Sequence, residues 1–336
     1  MSSIGILGAG SWGTALAVSQ ALAGRRVVLW ARRRELAEEL AATRRSPYLP
    51  AAALPPAVEV TADLETLAAS PLILLVAPSH GLRGALRGLL AAVPRGEPRV
   101  LISAAKGIEG DTLARMSQVC FEEAHGADRD TGFAVLSGPT FAAEVAAGMP
   151  AAAVVASEDG ALAARVQAAL ATPALRLYSS TDVVGVELGG AAKNVIAIAA
   201  GVVAGLGIGT NALAALITRG LHELTRLGVA CGGRPRTFSG LAGLGDLVLT
   251  CTGHLSRNRR AGLLLAAGKT PQEAATETPM VPEGVRNSLA IARLAEKKGI
   301  EMPITRQMVA VLYEGKPPRQ AVAELMSRGL KAEDEL

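Results

Sequence analysis

Lys193 is the charge most out of keeping with its surroundings. It lies near the start of the run Glu187 to Arg219, ELGGAAKNVIAIAAGVVAGLGIGTNALAALITR, in which no charge follows from Asn194 to Thr218. An ammonium held among apolar residues must be pointed at something that needs it. Asp246 is a comparable oddity, a single carboxylate within TFSGLAGLGDLVLTC; in such company it either caps a helix or faces a cation. Ser256-Arg257-Asn258-Arg259-Arg260 then places a hydroxyl, guanidinium groups and an amide ahead of a helical run, which suits a phosphate. Arg259 and Arg260 read as a solvated face.

The first half holds a second set. The apolar run Ser3 to Leu7 leads directly into Gly8-Ala9-Gly10-Ser11-Trp12-Gly13, and Thr14 to Ala23 reads as a helix. In that order Gly8 permits a tight turn, Gly10 lets the backbone approach a pyrophosphate and Gly13 lets helix and strand pack closely. The apolar strand Arg26 to Trp30 closes the unit, followed by Ala31-Arg32-Arg33-Arg34 where an NAD site would carry a carboxylate for the ribose 2′-OH. Guanidinium groups there suit a 2′-phosphate, so NADP(H) is favoured and NAD(H) remains admissible. Arg34 reads as a solvated charge opening the next helix. Lys106, in SAAKGIE, directly follows an apolar strand, and Ser137-Gly138-Pro139-Thr140-Phe141 offers N–H groups and a hydroxyl at a strand-to-helix turn. His80 is either a nicotinamide-side residue or an ordinary loop histidine, and Glu144 a helix-surface charge.

The elements that must position these groups alternate. Short β-prone runs at Val58 to Val60, Leu72 to Val76, Arg99 to Ser103, Phe133 to Ser137, Ala151 to Ala156 and Leu175 to Tyr178 are mostly separated by helical segments, at Leu64 to Ala69, Gly81 to Ala92, Thr112 to Ala124 and Ala161 to Ala171. Such alternation predicts an α/β, Rossmann-like, doubly wound and largely parallel sheet with ligands beyond the carboxyl ends of its strands. From Thr181 helices dominate, so the expected division is a nucleotide-binding domain over 1–180 and an all-α domain over 181–336.

Composition narrows the class. The chain has 336 residues, half hydrophobic and only 3% aromatic, enough for two cores built from aliphatic side chains and glycine. A net charge of +4, with basic residues scattered among 30 acidic ones, gives no nucleic-acid footprint. Cys120, Cys231 and Cys251 lack metal or disulfide-scaffold spacing, no metal is expected, and no signal peptide is read at the N-terminus; a reducing cytoplasm fits. The run from Glu187 also has the length of a membrane span, with a Gly201/Gly205 pair of the kind that joins membrane helices. No second span accompanies it, however, and Gly205, Gly207 and Gly209 interrupt it before Asn211, so a buried core helix is expected. Such long apolar helices are candidate surface for a homodimer.

IGILGAGSWGTALA (Ile4 to Ala17), SAAKGIE (Ser103 to Glu109), SGPTFAAEVAAGMP (Ser137 to Pro150), LGGAAKNVIAIAAG (Leu188 to Gly201), GLAGLGDLVLTC (Gly240 to Cys251) and SRNRR together, in this order, resemble the soluble bacterial NAD(P)-dependent glycerol-3-phosphate dehydrogenases. That resemblance implies reversible reduction of dihydroxyacetone phosphate to sn-glycerol 3-phosphate, feeding glycerophospholipid synthesis, with Lys193 as proton donor and acceptor. It assigns substrate contacts to Lys106, Gly138, Thr140, Lys193, Asp246, Ser256, Arg257 and Asn258. Cofactor contacts fall on Ser11, Trp12, Arg32, Arg33, Lys106, Ala142, Arg257, Val281 and Glu283. Two rivals remain in view: a β-hydroxyacid dehydrogenase, in which an asparagine one turn after the lysine is usual whereas this chain has Ala197, and a non-catalytic nucleotide sensor, for which Lys193, Asp246 and Arg257 together have little use.

Overall fold

The computed structural model describes residues 3–94, 96–128, 130–276, 283–330 and 332–333. Two compact units make up the chain: Met1–Lys106 with Ala114–Glu187, and Gly107–Leu113 with Leu188–Leu336. The last passage from one to the other, between Glu187 and Leu188, falls inside a helix.

In chain order the first unit carries β1 (Ile4–Leu7), α1 (Ser11–Leu22), β2 (Val27–Trp30), α2 (Arg34–Thr43), β3 (Arg45–Ser46), β4 (Leu49–Ala53), β5 (Val58–Thr61), α3 (Leu64–Ala68), β6 (Leu72–Leu75), α4 (Ser79–Ala92), β7 (Arg99–Ser103), α5 (Met116–Gly126), β8 (Thr131–Ser137), α6 (Ala142–Ala146), β9 (Ala151–Ala156), α7 (Gly160–Leu170) and β10 (Leu175–Ser180). Its main sheet runs β10-β9-β8-β7-β6-β1-β2-β5. Read from β5 inward, the first six strands follow the doubly wound order third-second-first-fourth-fifth-sixth, whose direction of winding reverses between β1 and β6. Every pairing is parallel except β8 with β9. β1 and β2 are buried at every position, as strands covered on both faces must be.

Two details depart from expectation. The helix expected from Thr112 begins only at Met116, because Leu113 adopts a left-handed φ of 61° that no helix accommodates and residues 107–113 belong to the other unit. The hairpin β3–β4, between α2 and β5, has no counterpart in a simple strand–helix alternation.

The second unit is helical: α8 (Val183–Gly205, its first residues still in the first unit), α9 (Thr210–Ala230), α10 (Pro235–Phe238), a π-helical turn (Leu241–Gly245), α11 (Asp246–Thr252), α12 (Arg257–Ala266), α13 (Pro271–Thr276), α14 (Glu283–Lys297), α15 (Pro303–Tyr313) and α16 (Pro318–Met326). α8 is long and apolar enough to cross a bilayer, yet 89% of its most apolar window is buried inside the protein. Gly201 and Gly205 serve packing inside the protein. A Cβ at Gly201 would stand 2.0 Å from the Arg259 carbonyl oxygen, and one at Gly262 would stand 2.0 Å from that of Ile198. α8 and α12 therefore meet backbone to backbone, where an added methyl would cost on the order of 1–3 kcal/mol or more. α8 ends where Gly207 and Gly209 take positive φ, and α9 follows at once.

Buried acids tie elements together within each unit. Glu187 accepts from Arg115 Nη1 at 2.6 Å and from the Ser117 N–H and Oγ at 2.7 Å. In the second unit Glu223, on α9, accepts from the N–H groups of Ile304 (2.6 Å) and Thr305 (3.2 Å) and from Thr305 Oγ1, answering the unpaired donors at the start of α15. Burial nevertheless outweighs these bonds and pushes the Glu223 carboxyl up to about 7. A carboxyl raised in the folded state holds a proton that the unfolded chain releases. Its stabilising share is thus present below its unfolded pKa and lost as pH climbs to about 7. In urea unfolding followed at pH 5 and pH 8, wild type should lose stability across that interval and Glu223→Gln should lose less; parallel changes in the two proteins would refute the assignment.

Candidate active site

α8 carries Lys193 into the helical unit, where only 5% of the residue is exposed. Its Nζ donates to Asp246 Oδ1 at 2.8 Å and to Thr250 Oγ1 at 2.6 Å. The Thr250 hydroxyl in turn donates to the Asp246 carbonyl at 2.6 Å, so its oxygen can accept from the ammonium. Asp246 opens α11 and Thr250 follows one turn later, which places both on one face of that helix. Of the two readings open to Asp246, the geometry is that of a carboxylate facing a cation. The π-helical turn that delivers it packs closely: a Cβ at Gly189 would stand 2.7 Å from the Ala242 carbonyl oxygen. Cys251, beside Thr250, is pushed up to about 12 by burial and is a neutral thiol.

α12 begins next to this pair in sequence. Ser256 is its N-cap, with Oγ accepting from the Arg259 N–H at 3.2 Å. Asn258 braces three helices: its Nδ2 donates to Asn194 Oδ1 at 2.8 Å on α8, and its Oδ1 accepts from the Gly284 N–H at 3.0 Å on α14. A Cβ at Gly284 would stand 2.7 Å from both Asn194 O and Asn258 Oδ1, so only glycine closes this junction. Arg257 reaches solvent yet is crowded by protein; desolvation lowers its pKa while Glu283, the first residue of α14, opposes. Arg259, expected on a solvated face, is half-buried, its carbonyl pressed against Gly201. Val281 lies outside the described residues.

The first unit gathers the nucleotide-side residues at the carboxyl ends of its strands. Gly8, at φ 125°, sits where a Cβ would stand 3.0 Å from the Val76 carbonyl carbon, at the point between β1 and β6 where the winding reverses. A Cβ at Gly13 would stand 1.8 Å from the Gly8 carbonyl oxygen. Gly10 precedes α1 with no side chain capping its first turn, and Ser11 and Trp12 open the helix half-exposed. Trp12 Nε1 is buried without a partner. A glycine cradle, an uncapped helix start and an orphaned donor are what a dinucleotide pyrophosphate and its neighbouring groups would occupy. Lys106, three residues past Ser103 at the end of β7, donates to the Gly138 carbonyl at 2.9 Å, as does Thr140 Oγ1 at 3.1 Å. Ala142 begins α6, which packs on α1. Arg32 and Arg33 are exposed beyond β2, and Arg33 Nη2 donates to the Tyr48 hydroxyl at 3.0 Å. His80 is exposed in the first turn of α4, and among the described residues no group of His, Cys, Asp and Glu could hold a metal.

Sequence reasoning passed over Thr250, Asn194, Gly284 and Tyr48. Thr250 had a signal, a hydroxyl four residues past a suspect carboxylate on a helix. The other three are joined to site residues through space from distant parts of their unit.

A doubly wound nucleotide-binding unit together with a helical unit that buries an ion-paired lysine defines a nicotinamide-dependent dehydrogenase of the two-unit kind. The model of the NAD-dependent glycerol-3-phosphate dehydrogenase N-terminus matches residues 3–163, and that of its C-terminus residues 182–323. The chain belongs to the NAD-dependent glycerol-3-phosphate dehydrogenase family. It is 53% identical over 332 residues to the glycerol-3-phosphate dehydrogenase [NAD(P)+] of Geobacter sulfurreducens, with 98% of each chain covered. It is 50% identical to the enzyme of that name from Syntrophotalea carbinolica, covering 98% of this chain and 99% of that one. The crystal structure of glycerol-3-phosphate dehydrogenase from Coxiella burnetii superposes with a TM-score of 0.92 at 39% identity, covering 97% of this chain and 99% of that one.

Gly13→Ala forces a methyl onto the Gly8 carbonyl. It should weaken NADH and NADPH binding alike by about tenfold or more, read by fluorescence titration; unchanged affinity for both would show that the cradle is not where the dinucleotide lies.

Proposed function

We propose that this chain catalyses the reversible reduction of dihydroxyacetone phosphate to sn-glycerol 3-phosphate. The observation that carries the proposal is the buried Lys193, held by Asp246 and Thr250 in a chain whose other unit fits a dinucleotide. Bound nicotinamide supplies the hydride equivalent. Lys193 as an ammonium polarises the C2 carbonyl and delivers a proton to the alkoxide oxygen; in reverse, the neutral amine removes the proton from the C2 hydroxyl. Asp246 favours the charged amine and orients it. Two N–H directions set by Asp246 and Thr250 set the third as well.

Phosphate recognition falls to the start of α12. Arg257 supplies the guanidinium and the helix N-terminus its N–H groups. Ser256 caps the turn, and Asn258 keeps the second hydrogen of Nδ2 for a phosphate oxygen, the first being spent on Asn194. Lys106, Gly138 and Thr140 are also assigned to the substrate, and Lys106 to the cofactor as well. Ser11, Trp12, Arg32, Arg33, Ala142, Arg257 and Glu283 are assigned to the cofactor. NADPH is the favoured coenzyme, supported by Arg32 and Arg33 standing where an NAD site would carry a carboxylate.

A cytoplasmic homodimer supplying glycerophospholipid synthesis completes the reading. Three free cysteines support a reducing compartment. The uncharged start of α9, in which no residue before Gly220 is buried, supports a surface that can meet its own copy without like-charge repulsion.

With dihydroxyacetone phosphate as the added substrate, Lys193→Ala should slow NADPH oxidation by about a thousandfold while coenzyme still binds. Near wild-type turnover would sink the assignment. Arg257→Ala should raise KM for dihydroxyacetone phosphate by about tenfold or more, and an unchanged KM would remove Arg257 from the phosphate.

A further inference from the structure

Arg33 has a neighbour that the alternation of strands and helices does not supply. Its Nη2 donates to the phenol oxygen of Tyr48 at 3.0 Å, and Tyr48 lies in the turn of the hairpin β3–β4. That hairpin is held from several sides. Arg44, at a left-handed φ of 57°, donates through its guanidinium to the carbonyls of Leu54, Pro55 and Val58. Leu49 and Leu54 are buried in the core of the first unit, and β4 packs against both α1 and α6. The turn itself is narrow in its choices. Pro47 and Pro50 flank Tyr48-Leu49 and fix their own φ, and Ser46 Oγ accepts the Tyr48 N–H at 3.3 Å.

The hairpin therefore brings a half-buried phenol to the end of β2, where the adenosine ribose of a doubly wound site is read. Among the described residues the Arg32 side chain has no ion-pair or hydrogen-bond partner, the Arg33 side chain has only the neutral phenol, and the phenol hydrogen has no acceptor. A guanidinium and a hydroxyl donor side by side match a phosphate oxygen. A ribose hydroxyl, neutral and able to accept from one of them at a time, gains far less.

We propose that Tyr48 is a specificity-determining residue for the adenosine 2′-phosphate: its oxygen accepts from Arg33 and so holds the guanidinium in place, and its hydroxyl donates to the phosphate. The inference rests on the NADPH reading of Arg32 and Arg33. No bond forms or breaks in this role, which is one of recognition alone.

Calorimetric titration of adenosine 2′,5′-bisphosphate and of adenosine 5′-monophosphate into wild type and Tyr48→Phe, without substrate, tests it. The phenyl ring preserves the hairpin packing, so the thermal midpoint should not move. Wild type should bind the bisphosphate more tightly than the monophosphate. Tyr48→Phe should lose about fivefold on the bisphosphate, as expected for one charge-assisted hydrogen bond at a solvated site, and stay within about twofold on the monophosphate. In turnover, KM for NADPH should rise while kcat and KM for NADH hold. If wild type does not distinguish the two nucleotides, the NADPH reading falls and the inference with it. If wild type distinguishes them and Tyr48→Phe does so equally well, the inference alone falls. Equal weakening of both nucleotides would assign Tyr48 to the hairpin's structure and overturn its part in specificity.

Discussion

The buried contact between Lys193 and Asp246 constrains the helical unit more than any other. Taking an ammonium and a carboxylate out of water costs several kcal/mol for each ion, and their attraction repays this only with good geometry and further hydrogen bonds. The 2.8 Å contact meets the first condition and Thr250 the second. Removing one partner would leave a buried charge alone, at a cost of roughly 3–5 kcal/mol. α8 and α11 must therefore meet in a single register. The π-helical turn ahead of Asp246 and the bare backbone at Gly189 bring the two helices to it.

Both units solve close approach in the same way. With only 3% aromatic residues the chain has few large rings to fill wide gaps, and it brings backbones together through glycine instead. In the first unit this produces the Gly8/Gly13 cradle, where close packing and room for a pyrophosphate are one requirement. In the second it produces the α8/α12 crossing at Gly201 and Gly262 and the junction at Gly284, where Asn258 joins α8, α12 and α14. The brace matters to chemistry because Asn194 follows Lys193 directly. Whatever holds Asn194 also limits how far the lysine can drift along its helix.

Much of the fold was legible in the chain. The strands from Ile4, Val27, Val58, Leu72, Arg99, Thr131, Ala151 and Leu175 are short apolar runs bounded by turn residues, and period and punctuation suffice to find them. The helix expected from Thr112 starts four residues late, at Met116, because the left-handed Leu113 answers to tertiary contacts and not to local propensity. The hairpin β3–β4 escaped because β3 has two residues and β4 has mostly exposed ones, so neither shows alternation. Of the candidate site, Lys193, Asp246 and the glycine cradle announced themselves as residues out of keeping with their surroundings. Thr250 was marked only by its spacing of four from Asp246, and Tyr48 is an ordinary residue in ordinary surroundings.

By itself the sequence determined the alternation of main-sheet strands and helices in the first unit, the nucleotide-binding turn and which charges sit in apolar company, because each of these is a matter of neighbours along the chain. It also left Asp246 between a helix cap and a counter-ion, and α8 between a membrane and a core. Only the tertiary structure decided those, since a carboxylate's partner and a helix's surroundings are set by residues more than fifty positions away, brought near when the apolar faces of separate helices are buried together.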